Sequence, residues 1–173
     1  MNFRMAARED FENVMQFYYD LIDAMRNIEY CPKWEKDIYP TRQLIQASIE
    51  QNELAISLID GIIAGAMVIN QEVAEGYDQL PWRVDAAKDQ VMVIHALGIS
   101  IRHQGKGIGK KMVEFAINLC REKDMKVIRL DVLAANIPAQ KLYMSMGFEY
   151  IGTIPLFYED TGLTDFLLYE FAL

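Results

Sequence analysis

Cysteine and histidine are scarce in this chain, and their scarcity removes whole classes of chemistry. Cys31 and Cys120 are the only cysteines among 173 residues, too few for a disulfide framework at this length. His95 and His103 are the only histidines. With no CxxC pair and no Cys/His cluster, a zinc-type centre lacks its ligands, and no metal is expected. Apolar runs stay short of the ~20 residues a membrane helix needs, so no membrane partner is expected either. Basic residues are the minority, 17 Lys and Arg against 25 Asp and Glu, for a formal charge of −8. That balance denies the chain the broad basic face that nucleic acid requires. It suits a cationic acceptor, although solubility explains acidity equally well. Met1–Asn2–Phe3–Arg4 opens no apolar segment with a small-residue cleavage site, and the cytoplasm is the expected compartment.

What is present is a globular composition, 52% hydrophobic and 24% charged. A chain of this size buries roughly 70% of its extended surface, which predicts one domain over 1–173. Met1 to Ala7 reads as a strand. Phe11, Val14, Met15, Tyr18, Leu21, Ile22 and Met25 recur at helical spacing within Arg8 to Met25. Thr41 caps a second helix to about Gln51. Leu54 to Leu58 and Ile62 to Asn70 form a hairpin with Asp60–Gly61 as its turn. Gln71 to Asp89 lacks periodicity and reads as a long loop, a kind of segment usually functional or mobile. Val91 to Ile101 is a buried strand, Gly107 to Glu122 a helix, and Val127 to Leu133 a central strand. Ala135–Asn136 leads into a short helix with Pro138 near its start and Gly147 at its end. Phe148 to Ile154 and Thr164 to Phe171 complete the sheet. The order βααβββαβαββ mixes hairpins with crossovers, so the fold class is α/β with a mixed sheet.

The strongest local signal is Gln104–Gly105–Lys106–Gly107–Ile108–Gly109, a glycine-dense turn between a strand and a helix. Such a turn leaves backbone N–H groups unpaired and pointing one way, a binding site for anionic oxygen. Arg102, Lys106, Lys110 and Lys111 make it a basic island in an acidic protein. Two familiar phosphate motifs fail here. A P-loop needs glycine where Ser100 or Gln104 stands, and a dinucleotide GxGxxG reading breaks at Lys110 or Met112. A phosphorylated cofactor of another kind is the expected ligand.

Gln104, Gly107 and Gly109 fill the pattern (Gln/Arg)-x-x-Gly-x-(Gly/Ala). A second block follows in order: Asn136, Ala139, Leu142, Tyr143, Gly147 and Phe148, preceded by Arg129–Leu130–Asp131–Val132. In these blocks the chain resembles the GNAT superfamily of acetyl-CoA-dependent N-acetyltransferases, in detail over Val91 to Thr153 and before that in element order alone. The resemblance implies a single GNAT-like domain whose mixed central sheet of about seven strands, flanked by about four helices, splays at a cofactor cleft. It implies acetyl-CoA as cofactor, with the pyrophosphate on N–H groups of Gln104, Gly105, Lys106, Gly107, Ile108 and Gly109. Lys106 and Lys110 pair with phosphate oxygens in this reading, or are ordinary solvated lysines. The pantetheine arm then lies along Leu97, Gly98 and Ile99. Gly98 marks a bulge or a close backbone approach, the alternative being room for a neighbouring side chain. Asn136 corresponds to the asparagine that bonds the pantetheine arm, and it also suits a helix N-cap. Tyr143 corresponds to the general acid beside the thioester sulfur, against the alternative of a core aromatic.

The family varies in the group that takes the amine proton. His95 interrupts an apolar strand beside the acetyl-binding segment and is the sharpest candidate base, though a lone strand histidine is often structural. Asp131 and Glu72 are weaker candidates. Acceptor choice is expected from the loop aromatics Tyr30, Trp34, Tyr77, Trp82 and Tyr158, with Asp78, Asp85, Glu159 and Asp160 nearby; ordinary surface and a dimer contact are the competing uses. The expected partner is a small-molecule or peptide amine, and the protein is a monomer or homodimer. Direct transfer of acetyl to a primary amine is the expected function. A non-catalytic acyl-CoA sensor or partner-binding domain is the alternative.

Overall fold

Asp60 and Gly61 take left-handed backbone, φ 52° and 80°, as a two-residue hairpin turn following the strand twist requires. They join strand β2 (Leu54–Ile59) to β3 (Ile62–Asn70), and β1 (Asn2–Met5) pairs antiparallel with β2. The computed structural model describes every residue except Tyr30, so the acceptor role expected of that residue lies outside the described residues. Four further strands follow: β4 (Val91–Ile99), β5 (Val127–Leu133), β6 (Glu149–Tyr158) and β7 (Gly162–Ala172). The sheet order is β1-β2-β3-β4-β5-β7-β6. The β4–β5 pair is parallel, while β5–β7 and β6–β7 are antiparallel. The sheet is thus mixed. Four α-helices accompany it: α1 (Phe11–Met25), α2 (Arg42–Glu50), α3 (Ile108–Glu122) and α4 (Ile137–Ser145). No helix of the described residues is long and apolar enough to cross a membrane.

The chain divides into two compact units. The first comprises Met1–Ile28, Trp34–Ile69 and His95–Phe115; the second comprises Glu29–Lys33, Asn70–Ile94 and Ala116–Leu173. In the first, α1 buries Val14, Met15, Phe17, Tyr18, Leu21, Ile22 and Met25, the spacing of one helical face. Each large apolar side chain buried this way contributes roughly 1.5–3 kcal/mol. The entry to α1 is set by Asp10. Its carboxylate accepts two hydrogen bonds from Arg4, at 2.6 and 2.9 Å, and one from the Ala7 N–H at 2.7 Å. Thr41 Oγ1 accepts the Leu44 N–H at 3.0 Å and starts α2 as expected. Arg42 ties α2 back to Glu12 of α1 at 2.6 Å.

In the second unit, Tyr77, Leu133, Leu156, Phe166 and Leu168 form a buried cluster. The long segment after β3 is pinned down rather than loose. Glu170 of β7 accepts the Arg83 and Val84 N–H groups at 2.9 and 3.1 Å, and its other oxygen takes Arg129 Nε at 3.0 Å. Arg129 also donates to Val84 O at 2.9 Å, and its guanidinium lies 4.2 Å from the Trp82 ring centroid. A buried ion pair of this kind positions groups more than it stabilises them, because desolvation offsets most of the attraction. Strands β6 and β7 run longer than the sequence pattern predicts, through Pro155, which pairs with Asp165. The proline is tolerated because β6 ends the sheet order, where a missing N–H costs no ladder bond.

Two outcomes follow from these anchors. Replacing Glu170 by Gln removes the charge facing buried Arg129 and is expected to cost about 3–5 kcal/mol; an unchanged melting temperature would show the latch to be idle. The Arg4 hydrogen bonds outweigh burial and, with the Ala7 N–H, hold the Asp10 carboxyl below its ordinary value. Its contribution is therefore present above the unfolded pKa of about 3.9 and lost as pH falls through the lower folded value. Asp10→Asn should lower stability by about 1 kcal/mol at pH 7, and the difference should shrink on strong acidification; thermal unfolding across that range checks it.

Candidate cofactor and catalytic site

Strand β4 carries the first irregularity of the site. Ala96 has φ 51°, a left-handed conformation that costs an L-residue about 1–2 kcal/mol. Its carbonyl accepts the buried Tyr18 hydroxyl at 2.9 Å. The left-handed residue of the strand is Ala96, and Gly98 has no positive φ. Gly98 makes room for side chains, the alternative use stated for it. A Cβ there would lie 2.6 Å from Leu21 Cδ2, 3.4 Å from Trp34 and 3.5 Å from Phe17. Leu97 and Ile99 flank it half-buried, and His95, also half-buried, immediately precedes Ala96.

Regular strand ends at Ile99 rather than Ile101, and Ile101–His103 form a single 3-10 turn. Gln104 then folds back. Its Nε2 donates to Ile99 O at 3.2 Å, and its N–H donates to Ile101 O at 3.3 Å. The Gln104 N–H is therefore engaged within the protein, which removes it from the expected row of donors. Gly105 and Gly107 are left-handed, φ 74° and 79°, and open space surrounds both. The Lys111 N–H donates to Gly107 O at 3.2 Å. By helix geometry the Ile108, Gly109 and Lys110 N–H groups ahead of it have no intrahelical partner. Positive helix-dipole character adds to their pull on an anion. The Ile108 side chain is buried in the core, so only its backbone faces outward tasks; Lys106 and Lys110 are exposed.

The second unit holds the rest of the predicted residues. Asn136 caps α4, its Oδ1 accepting the Ala139 N–H at 3.3 Å. The capping role is real and leaves the amide NH₂ for another task. Tyr143 of α4 is 5% exposed, its ring edge-on to Phe148 at 5.4 Å. Burial, then the charge of Asp131, pushes the Tyr143 hydroxyl well above its ordinary pKa, so it is a neutral donor at physiological pH. Asp131 itself accepts the Tyr77 hydroxyl at 2.7 Å and the Tyr158 hydroxyl at 3.3 Å to each oxygen.

The aromatic rim is not what the sequence suggests. Tyr77 is buried, with its hydroxyl on Asp131. Trp82 lies under Arg129, and its Nε1 donates to Tyr77 O at 2.5 Å. Both anchor the loop. Trp34 is edge-on to Tyr18 and Tyr39, at 5.9 Å each. Glu72 is exposed just beyond β3, its N–H donating to Asn70 Oδ1 at 3.1 Å. Sequence reasoning missed Ala96, because alanine carries no left-handed preference, and Tyr18, because its spacing marks it only as helix core. Among the described residues no group of three or more His, Cys, Asp or Glu side chains is placed to hold a metal ion.

Known proteins resemble this chain in sequence and in fold. The chain is 33% identical over 66 residues to the putative ribosomal protein bS18-alanine N-acetyltransferase of Bacillus subtilis, covering 38% of this chain and 44% of that protein. It is 32% identical over 77 residues to the streptothricin acetyltransferase of Streptomyces lavendulae, covering 44% and 41%. The matched stretch thus spans less than half of either relative. A GNAT-family acetyltransferase crystal structure from Streptococcus agalactiae superposes with TM-score 0.80 at 21% identity, over 99% of this chain and 95% of that one. A putative acetyltransferase of Salmonella typhimurium, solved with its cofactor acetyl-CoA, gives 0.73 at 18% identity, over 100% and 94%. These two establish the fold. The sequence profile of the acetyltransferase (GNAT) family matches residues 16–148, well over half of the molecule, and the chain belongs to that family.

Proposed function

We propose that this chain transfers the acetyl group of acetyl-CoA to a primary amine by direct attack. The observation that carries the reading is the turn before α3: two left-handed glycines in open space, then three N–H groups without an intrahelical partner. In this reading that turn is the seat of a diphosphate. Gly105 to Lys110 hold the pyrophosphate in this reading, with Lys106 and Lys110 adding charge. Leu97, Gly98 and Ile99 offer backbone groups to the pantetheine arm, and Asn136 offers its amide.

Bound acetyl-CoA supplies an activated carbonyl and a thiolate leaving group. The N–H near Leu97 polarises that carbonyl and stabilises the charge that develops on its oxygen. Tyr143 donates to the departing sulfur. Its raised pKa makes complete proton transfer to a thiolate of reference pKa ~8.5 more uphill, so its hydrogen bond acts first and the proton follows. His95 is the proposed proton acceptor for the amine, with Asp131 as the second choice because two phenols already hold it. The acceptor is a small-molecule or peptide amine, as the names of the two curated relatives suggest, and the acidic balance of the chain favours a cation. The reading places the reaction in the cytoplasm, on one folded domain acting as a monomer or homodimer.

The test is release of free thiol from acetyl-CoA across a panel of amines, diamines, aminoglycosides and peptides. Saturable cofactor binding without thiol release would leave a non-catalytic acyl-CoA binder. Tyr143→Phe should lower kcat by about 10²–10⁴-fold with acetyl-CoA affinity nearly unchanged, and the wild-type alkaline limb should fall above pH 10. Unchanged turnover with chemistry rate-limiting would remove Tyr143 from the mechanism. Gly107→Ala lets the free turn relax away from φ 79°. Binding then has to restore it at about 1–2 kcal/mol, so acetyl-CoA affinity should fall roughly 10-fold in calorimetry.

A further inference from the structure

Where β6 turns into β7, the two faces of the hairpin have opposite character. Leu156 and Phe166 belong to the buried cluster of the second unit, with Ile154 and Tyr158 packed against it. The alternate residues point the other way. There Phe157 pairs with Leu163 across the hairpin, and Pro155 with Asp165 beside them. Along β7 this outer face opens steadily toward the turn. Tyr169 is 2% exposed, Leu167 is half-buried, and Leu163 is 71% exposed. Phe157 opposite it is 70% exposed. Single apolar side chains scattered on a surface are ordinary, but two large ones directly opposed form a patch. Carboxylates bracket it. Glu159 and Asp160 stand in the turn just beyond the pair, and Asp165 one pair before it on the same face. From Pro155 to Asp165 the chain has no Lys or Arg.

We propose that this end of the β6–β7 hairpin docks a cationic peptide segment, with an apolar side chain seated on Phe157 and Leu163 and Lys or Arg residues beside Glu159, Asp160 and Asp165. Charge and area select that occupant over the others. A second copy of this chain would set the same carboxylates against each other, and like-charge juxtaposition suppresses a partner. An anionic lipid surface is repelled for the same reason. A phenylalanine and a leucine together offer a few hundred Å² at most, well short of the ~800 Å² per partner of a stable protein interface. A short segment needs less. The apolar contact supplies affinity, and the carboxylates supply the choice of sign. The proposal does not depend on the acetyl-transfer reading.

The probe is a fluorescent synthetic peptide that alternates lysine with leucine, followed by anisotropy at low and at high salt. Two control peptides replace every lysine by glutamate or every leucine by serine. The wild type should bind the lysine–leucine peptide saturably, at least about 10-fold tighter than either control, and more weakly as salt rises. Phe157→Ser and Leu163→Ser should each weaken binding by about 10-fold. Glu159→Gln and Asp165→Asn should each weaken it by about 2- to 5-fold, the range of exposed charge pairs. Circular dichroism confirms that the variants fold, as substitutions at exposed positions should. Binding that these variants leave unchanged overturns the proposal, because the peptide then sits elsewhere on an acidic surface. Absence of saturable binding overturns it too. So does a wild-type dimer in sedimentation that Phe157→Ser dissociates, which would give this face to a second copy.

Discussion

One hydrogen bond underlies the first unit: the buried Tyr18 hydroxyl donating to the carbonyl of left-handed Ala96. An alanine in that conformation is strained, and such strain persists only where surrounding structure over-determines it. Here α1 supplies that surrounding, with Tyr18 fully buried and Phe17 and Leu21 packed on the next turn of the strand. The Arg4–Asp10 pair sets where α1 begins, so a surface-proximal ion pair and a strained residue deep in the unit belong to one mechanical chain. The regular strand stops soon after, and the glycine turn that follows presents its donors from the start of α3.

In the second unit the organising group is the Asp131 carboxylate. Two phenols donate to it, Tyr77 from the long loop and Tyr158 from the end of β6, and its charge acts on Tyr143. Tyr77 is placed in turn by the bond from Trp82, and Trp82 by Arg129 paired with Glu170. A connection of this length with only two short 3-10 turns, Tyr77–Gln79 and Lys88–Gln90, would ordinarily be free to move. Burial of its backbone donors on Glu170 makes it part of the scaffold. The same burial that positions Tyr143 also keeps it protonated, so packing and acidity are one property rather than two.

Much of this was legible in the order of residues. The helical spacing in α1, Thr41 as a cap, Asp60–Gly61 as a turn and the glycines before α3 all express local backbone preferences, and the structure bears them out. The paired motifs around Gly107 and Asn136 identified the family, which the profile match confirms. Strand ends were less legible at β6, where Pro155 hid the strand's continuation to Tyr158, which its edge position permits. Insertion of β7 between β5 and β6, the left-handed state of Ala96, and the reassignment of Tyr77 and Trp82 from rim to anchor left no local mark. What the sequence by itself determined was the set of elements and the glycine turn before α3, because those depend on a few neighbouring dihedral angles. What only the tertiary structure decided was which side chains meet across distant segments, because a hydroxyl on α1 and a carbonyl on β4 acquire their meaning when burial removes every other partner.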